Sequence, residues 1–162
     1  MRYRLLVTIF ISLSSLSCRN EAKVTVSSVH FWTDSQIDVQ AGQTVTIKAT
    51  GEVYGCYAPP ERVWGPIGPE GQTDELADSL WMLPGVPKII LIAKIGEDGE
   101  PFEVGSEMRI SAERQGRLFL GVNDRVYLHP QDHHYQAGVT QQMHTGCYED
   151  NKGEFTAKIT FH

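Results

Sequence analysis

The chain has 162 residues, with 14 basic against 20 acidic for a net charge of −6, and 41% of it is apolar. That length holds one domain, and an acidic chain with no Lys/Arg run lacks the concentrated basic surface that nucleic acid requires. Fifteen Gly and eight Pro, in a chain this apolar, argue against disorder and against a helical bundle.

The first segment reads as an address. Arg2 and Arg4 make a positive start, and Leu5 to Ile11 a short apolar run that ends through Ser/Leu at Ser17-Cys18. This is a secretory signal, too short to span a bilayer stably. A small residue directly before a cysteine further suggests a bacterial lipoprotein processing site, at which Cys18 becomes the lipid-bearing N-terminus. The usual leucine three positions before the cysteine is Ser15 here, with Leu16 one place late. The alternative is an ordinary cleaved signal with an incidental cysteine nearby.

The expected organisation is thus a signal peptide over 1–17, a tether over 18–22 and one domain over 23–162. The expected location is the bacterial envelope or outer surface, with the chain held at the membrane through Cys18. Removing 1–17 takes away two of the 14 basic residues and none of the 20 acidic ones, so the charge falls from −6 to −8. Export permits disulfides, and setting Cys18 aside leaves Cys56 and Cys147 as an even pair out of an odd three.

Beyond residue 22 the apolar pattern has period two. Val24 and Val26 alternate with Thr25 and Ser27, then Val45, Ile47 and Ala49 with Thr44, Thr46 and Lys48. Each predicts a strand with one face to a core and one to water. Thr73 to Trp81 is the one stretch with a helical look. Lys88 to Lys94 is a more continuous apolar run, as expected of a strand covered on both sides. Met108 to Ser111 and Arg117 to Val122 follow as candidates, and Phe155, Ala157, Ile159 and Phe161 close the chain in alternation. Turn residues separate them at 41–42, 96–99, 114–116 and 151–153. Many short strands with regular turns predict an all-β fold, a β-sandwich or jelly roll.

Four ordered pieces of sequence then carry a resemblance. They are Trp32-Thr33-Asp34 with Ile37-Asp38-Val39 and Gly42 to Ile47; Gly51 to Tyr54 with Trp64-Gly65-Pro66 and Gly68; Leu83 to Pro87 leading into Ile92 to Gly96, with Pro101-Phe102 and Val104-Gly105; and Gly121 to Asp124, later joined by Asp150-Asn151 and Gly153 to Phe155. Together they span about residues 24–161, and the chain resembles the calcium-dependent galactose-binding lectins of the PA-IL type, with their galactose-binding-domain-like sandwich.

The resemblance implies a calcium ion held by Asp124, Asp150 and Asn151, with a main-chain carbonyl from Tyr54. Hard oxygen donors of this kind suit calcium. The implied carbohydrate-binding set is Tyr54, Gln72, Glu75, Asp124 and Asn151, with a galactoside-like glycan as partner. On the residues alone, Asn123-Asp124 and Asp150-Asn151 also serve as simple turn formers.

Two departures stand out. Where the compact lectins place a His and a Gln against the sugar, this chain has Gln72 and Glu75, which can still hydrogen-bond hydroxyls. Where those lectins have a few residues, Arg125 to Glu149 forms an insertion over 125–149, and a loop this long is usually functional or disordered. If the lectin geometry holds, Cys56 and Cys147 meet beside the metal, and a disulfide between them would contribute roughly 3–5 kcal/mol by closing a long loop.

The insertion also carries His129, His133, His134 and His144. These fit solvated or sugar-facing histidines, or a transition-metal site without fixed helical spacing. Tyr127, Tyr135 and Tyr148, with Tyr54 and Tyr57, could stack on sugar or simply pack; Trp64 and Trp81 read as packing residues. No nucleophile elbow or phosphate loop is present, so the expectation is binding without catalysis. The alternative is a surface lipoprotein adhesin that binds a host or cell-surface protein through the insertion, sugar binding having been lost.

Overall fold

Alternation of side chains along the sequence becomes alternation of burial along the strands. The computed structural model describes residues 21–58, 62–126 and 146–162. In chain order the elements are β1 (Glu21–Ser27), β2 (Thr33–Val39), β3 (Thr44–Ala58), β4 (Arg62–Ile67), β5 (Gln72–Leu76), β6 (Pro87–Lys88), β7 (Leu91–Ile95), β8 (Phe102–Glu103), β9 (Glu107–Ser111), β10 (Gly116–Val122), the single turn α1 (Gly146–Glu149) and β11 (Lys152–Phe161).

Among the described residues there are two main antiparallel sheets. The first runs β1-β11-β3-β4, and β9 also pairs with β3. The length of β3 allows this: its start, Thr44 to Lys48, takes β9, while its far half, Val53 to Ala58, takes β4. The second sheet runs β2-β10-β7-β8. Between the sheets lies one apolar core, with Val26, Ile47, Val53, Phe155 and Ile159 from the first and Val39, Leu91, Leu118, Leu120 and Val122 from the second. All ten are fully buried, and each contributes roughly 1.5–3 kcal/mol relative to exposure. The chain is an all-β sandwich, as the period-two pattern predicts.

Two local expectations are corrected. Thr73 to Trp81 is not helical: Gln72–Leu76 is a strand paired with Pro87–Lys88 in a small two-stranded ribbon. Its residues 73–76 are exposed, so no apolar face exists to hold a helix against the core. Asp78 then makes a turn, accepting the Leu80 amide at 2.8 Å on its carboxylate. The second correction concerns Lys88 to Lys94, which is buried through its centre as expected but is not one strand: Lys88 closes β6, and the chain becomes a strand again only at Leu91. Ile89, at φ 60°, breaks the run.

Candidate functional site

Three strand ends converge at one end of the sandwich. β10 finishes at Val122 and delivers Asn123 and Asp124; β1 finishes at Ser27 and delivers Ser28; β11 begins at Lys152, directly after Asp150 and Asn151. Asn151 donates its side-chain amide to Asp124 Oδ2 at 2.7 Å and to the Ser28 carbonyl at 3.0 Å. Asp124 Oδ1 accepts the Arg125 amide at 2.6 Å. Residues 27 positions apart in sequence therefore share one buried hydrogen bond, with Asp124 at 5% and Asn151 at 7% exposure.

Burial pushes the Asp124 carboxyl up to about 6, the nearby charge of Asp150 adds to the rise, and the hydrogen bonds from Asn151 and Arg125 oppose it. A carboxylate so placed is under-compensated, since desolvation disfavours its charged form. Two carboxyl groups, an amide side chain and main-chain carbonyls in one place are the donor chemistry of a hard cation. By this measure the residues fit calcium. Tyr54 lies in β3 opposite Lys152, one residue from Asn151, on the neighbouring strand.

The cluster is held from behind by residues with no direct part in the donor set. The Tyr148 hydroxyl donates to the Val122 carbonyl at 2.8 Å and accepts the Asp124 amide at 3.3 Å. Its ring is fully buried and meets Phe31 edge-on with centroids 4.6 Å apart. Tyr148 is therefore a packing residue, not a surface for stacking sugar, and burial pushes its phenol up.

Asn123 looks the other way. Its Oδ1 accepts the Leu83 amide at 2.8 Å, its Nδ2 donates to the carbonyls of Leu83 and Pro87, and its own carbonyl accepts the Ile89 amide at 2.8 Å. The Asn123-Asp124 pair thus divides its labour, with the asparagine fixing the 83–89 segment and the aspartate entering the cluster.

Gln72 and Glu75 sit on the β5–β6 ribbon. Glu75 Oε2 pairs with Lys88 Nζ at 2.7 Å, and that ammonium lies 5.5 Å from the centroid of Trp81. The main chain of Trp81 forms an isolated bridge to that of Arg125, the residue after Asp124, so Trp81 joins the ribbon, through its ring and Lys88, to the cluster, through its backbone. Gln72 Oε1 is, among the described residues, the one buried side-chain oxygen or nitrogen that accepts or donates no hydrogen bond. Gly71, at φ 72°, sets the entry of this ribbon: a Cβ there would lie 2.5 Å from the Lys88 carbonyl oxygen and 2.8 Å from the Ile90 amide. Trp81 is buried, as a packing residue should be, whereas Trp64 on β4 is 40% exposed.

Some expectations fall outside the described residues: those on Cys18, Tyr57, Tyr127, Tyr135, the four insertion histidines and the Cys56 side chain. Cys147 lies in α1, which packs on β3, the strand that contains Cys56. Among the described residues no three His, Cys, Asp or Glu side chains gather as a cluster. Ser28 was not legible as a site residue, because it contributes a main-chain carbonyl and carries no side-chain signature for that role.

Comparison with known proteins adds to this geometry. A solved structure described as "EclA N-terminal domain; PllA-like lectin" matches with a TM-score of 0.59 and 20% sequence identity, over 88% of this chain and 98% of that one. The chain has the fold of that lectin domain. No family model and no curated protein sequence matches it.

Proposed function

We propose that this chain is an exported, lipid-anchored carbohydrate-binding protein that recognises sugar hydroxyls at a calcium site, without catalysis. The observation that carries the reading is the buried meeting of Asp124 and Asn151, beside Asp150, at one end of a lectin-like sandwich. Asp124, Asp150 and Asn151 would hold the ion together with the Tyr54 carbonyl. A partly dehydrated calcium supplies open coordination positions for vicinal hydroxyl oxygens, which are poorly distinguished from water by hydrogen bonds alone.

The chain's own groups do the rest. Asn151 orients the Asp124 carboxylate by donating to Oδ2. Tyr148 fixes the main chain on which Asp124 sits. Glu75 brings an exposed carboxylate steadied by Lys88 and suited to accepting hydrogen bonds from sugar hydroxyls, and Gln72 stands on the same ribbon with an enclosed amide oxygen that makes no hydrogen bond within the protein. A galactose-type ligand is the first to test. On a glycan array, binding to galactosides with calcium that disappears with chelator is expected. Binding that ignores chelator, or none with calcium present, overturns the reading.

A further inference from the structure

We propose that the end of the sandwich opposite the Asp124–Asn151 cluster is the face that rests on the bilayer, turning the cluster outward. This rests on the reading of Cys18 as the lipid-bearing residue. Cys18 precedes Glu21, the first residue of β1, by three positions. Such a stretch reaches at most about 10 Å, so the start of β1 is held close to the membrane surface.

Strand polarity places the rest. Glu21 pairs with Thr160, Val45 with Phe161, Thr44 with Ser111 and Val39 with Gly116. The beginnings of β1, β3 and β10 and the ends of β2, β9 and β11 therefore share the tethered end. The opposite end of β1 delivers Ser28, whose carbonyl accepts from Asn151. Seven residues of extended strand separate the two ends, roughly 20 Å.

The tethered end also carries an apolar groove of about 420 Å³ between the edge strands β8 and β9, lined by Ile95, Pro101, Phe102, Met108, Ile110 and Ala112. Its rim holds the exposed Glu100 and Glu113, and Arg114 is paired with Asp98 at 2.9 Å. This acidic rim would repel an anionic surface. The occupant we assign is the bilayer that the chain's own lipid enters, held against this end by the short tether despite the charge of the rim.

The test uses the full chain processed in a bacterial host, purified with its anchor and reconstituted into uncharged phosphatidylcholine vesicles, where the acidic rim meets no net repulsion. Water-soluble carbodiimide with glycine ethyl ester converts accessible carboxylates, and mass spectrometry reads each one against an anchor-free chain in solution. Several-fold protection of Glu100 and Glu113, with Glu52 and Glu154 unchanged, is the expected result. Equal modification at both ends, or protection of Glu52 and Glu154 instead, overturns the proposal.

An N-terminal peptide lacking a lipid mass defeats the lipoprotein reading separately. A chain beginning at Arg19, held by an N-terminal hexahistidine on nickel-chelating vesicles, then reports the face independently. Protection of Glu100 and Glu113 supports the surface assignment in that arm, and any other pattern overturns it.

Discussion

Burial places Asp124 under electrostatic tension. Its carboxyl, ordinarily at 3.8, is raised to about 6 chiefly by burial. A folded-state value above the unfolded one means that Asp124 contributes stability below about pH 4 and that this is lost as pH rises through about 6. The loss is at most about 3 kcal/mol at neutral pH, taking each pKa unit as about 1.4 kcal/mol. In chelator, the melting midpoint should therefore fall between pH 4 and pH 7, and Asp124→Asn should flatten that slope. A midpoint that rises over this range in chelator would contradict the assignment.

Tyr148 makes a second residue-scale prediction. Tyr148→Phe keeps the packing against Phe31 but strands the Val122 carbonyl and the Asp124 amide, and should cost about 1–3 kcal/mol in urea unfolding. No change in the urea midpoint would mean that the hydroxyl does not brace the cluster.

At the scale of elements, the sheet strands were legible and the ribbon was not. Val24 and Val26, or Phe155 to Ile159, advertise their strands because one face is buried, and period-two alternation follows directly from that. Gln72–Leu76 has no such face: residues 73–76 are exposed, so their identities record neither helix nor strand. What fixes the ribbon is tertiary, namely pairing with β6 and the Asn123 bonds into 83–89.

Gly71 is the hinge of that arrangement. Gly71→Ala puts a methyl group against the Lys88 carbonyl in a left-handed conformation, and should cost about 1–3 kcal/mol. If the ribbon presents Gln72 and Glu75 to sugar, the same variant should weaken glycan binding while leaving calcium binding in place. Equal losses of both would point to general unfolding of that end, which circular dichroism would reveal.

For the whole molecule, the two poles of the sandwich have separate tasks in the proposed reading, one facing the ligand and one facing the membrane. A cation that binds only the folded chain must stabilise it, so calcium should raise the melting midpoint at pH 7, and less so at pH 5, where Asp124 is mostly protonated. An unchanged midpoint with calcium at pH 7 would remove the ion from the account. The cysteines give a covalent check at the same scale. Alkylation with and without reductant should show Cys56 and Cys147 protected until reduced, and their joint labelling in the folded, unreduced chain would end the pairing idea.

By itself the sequence determined the all-β sandwich, most of its strand positions and the acidic and amide residues that cluster. It did so for the strands because burial on one face forces alternation, whereas the acidic and amide residues stood out only through the lectin resemblance, being by residue type alone also simple turn formers. The resemblance already set Asp124 apart for the ion, and tertiary structure alone decided what Asn123 does. Asn123 and Asp124 are equally polar and equally near a strand end, yet one turns toward the 83–89 segment and the other into the cluster. That choice depends on which chain segments stand on either side of the strand end, which no local pattern encodes. The same holds for Ser28, whose contribution is a main-chain carbonyl, and for Tyr148, whose fully buried ring and bridging hydroxyl separate packing from recognition.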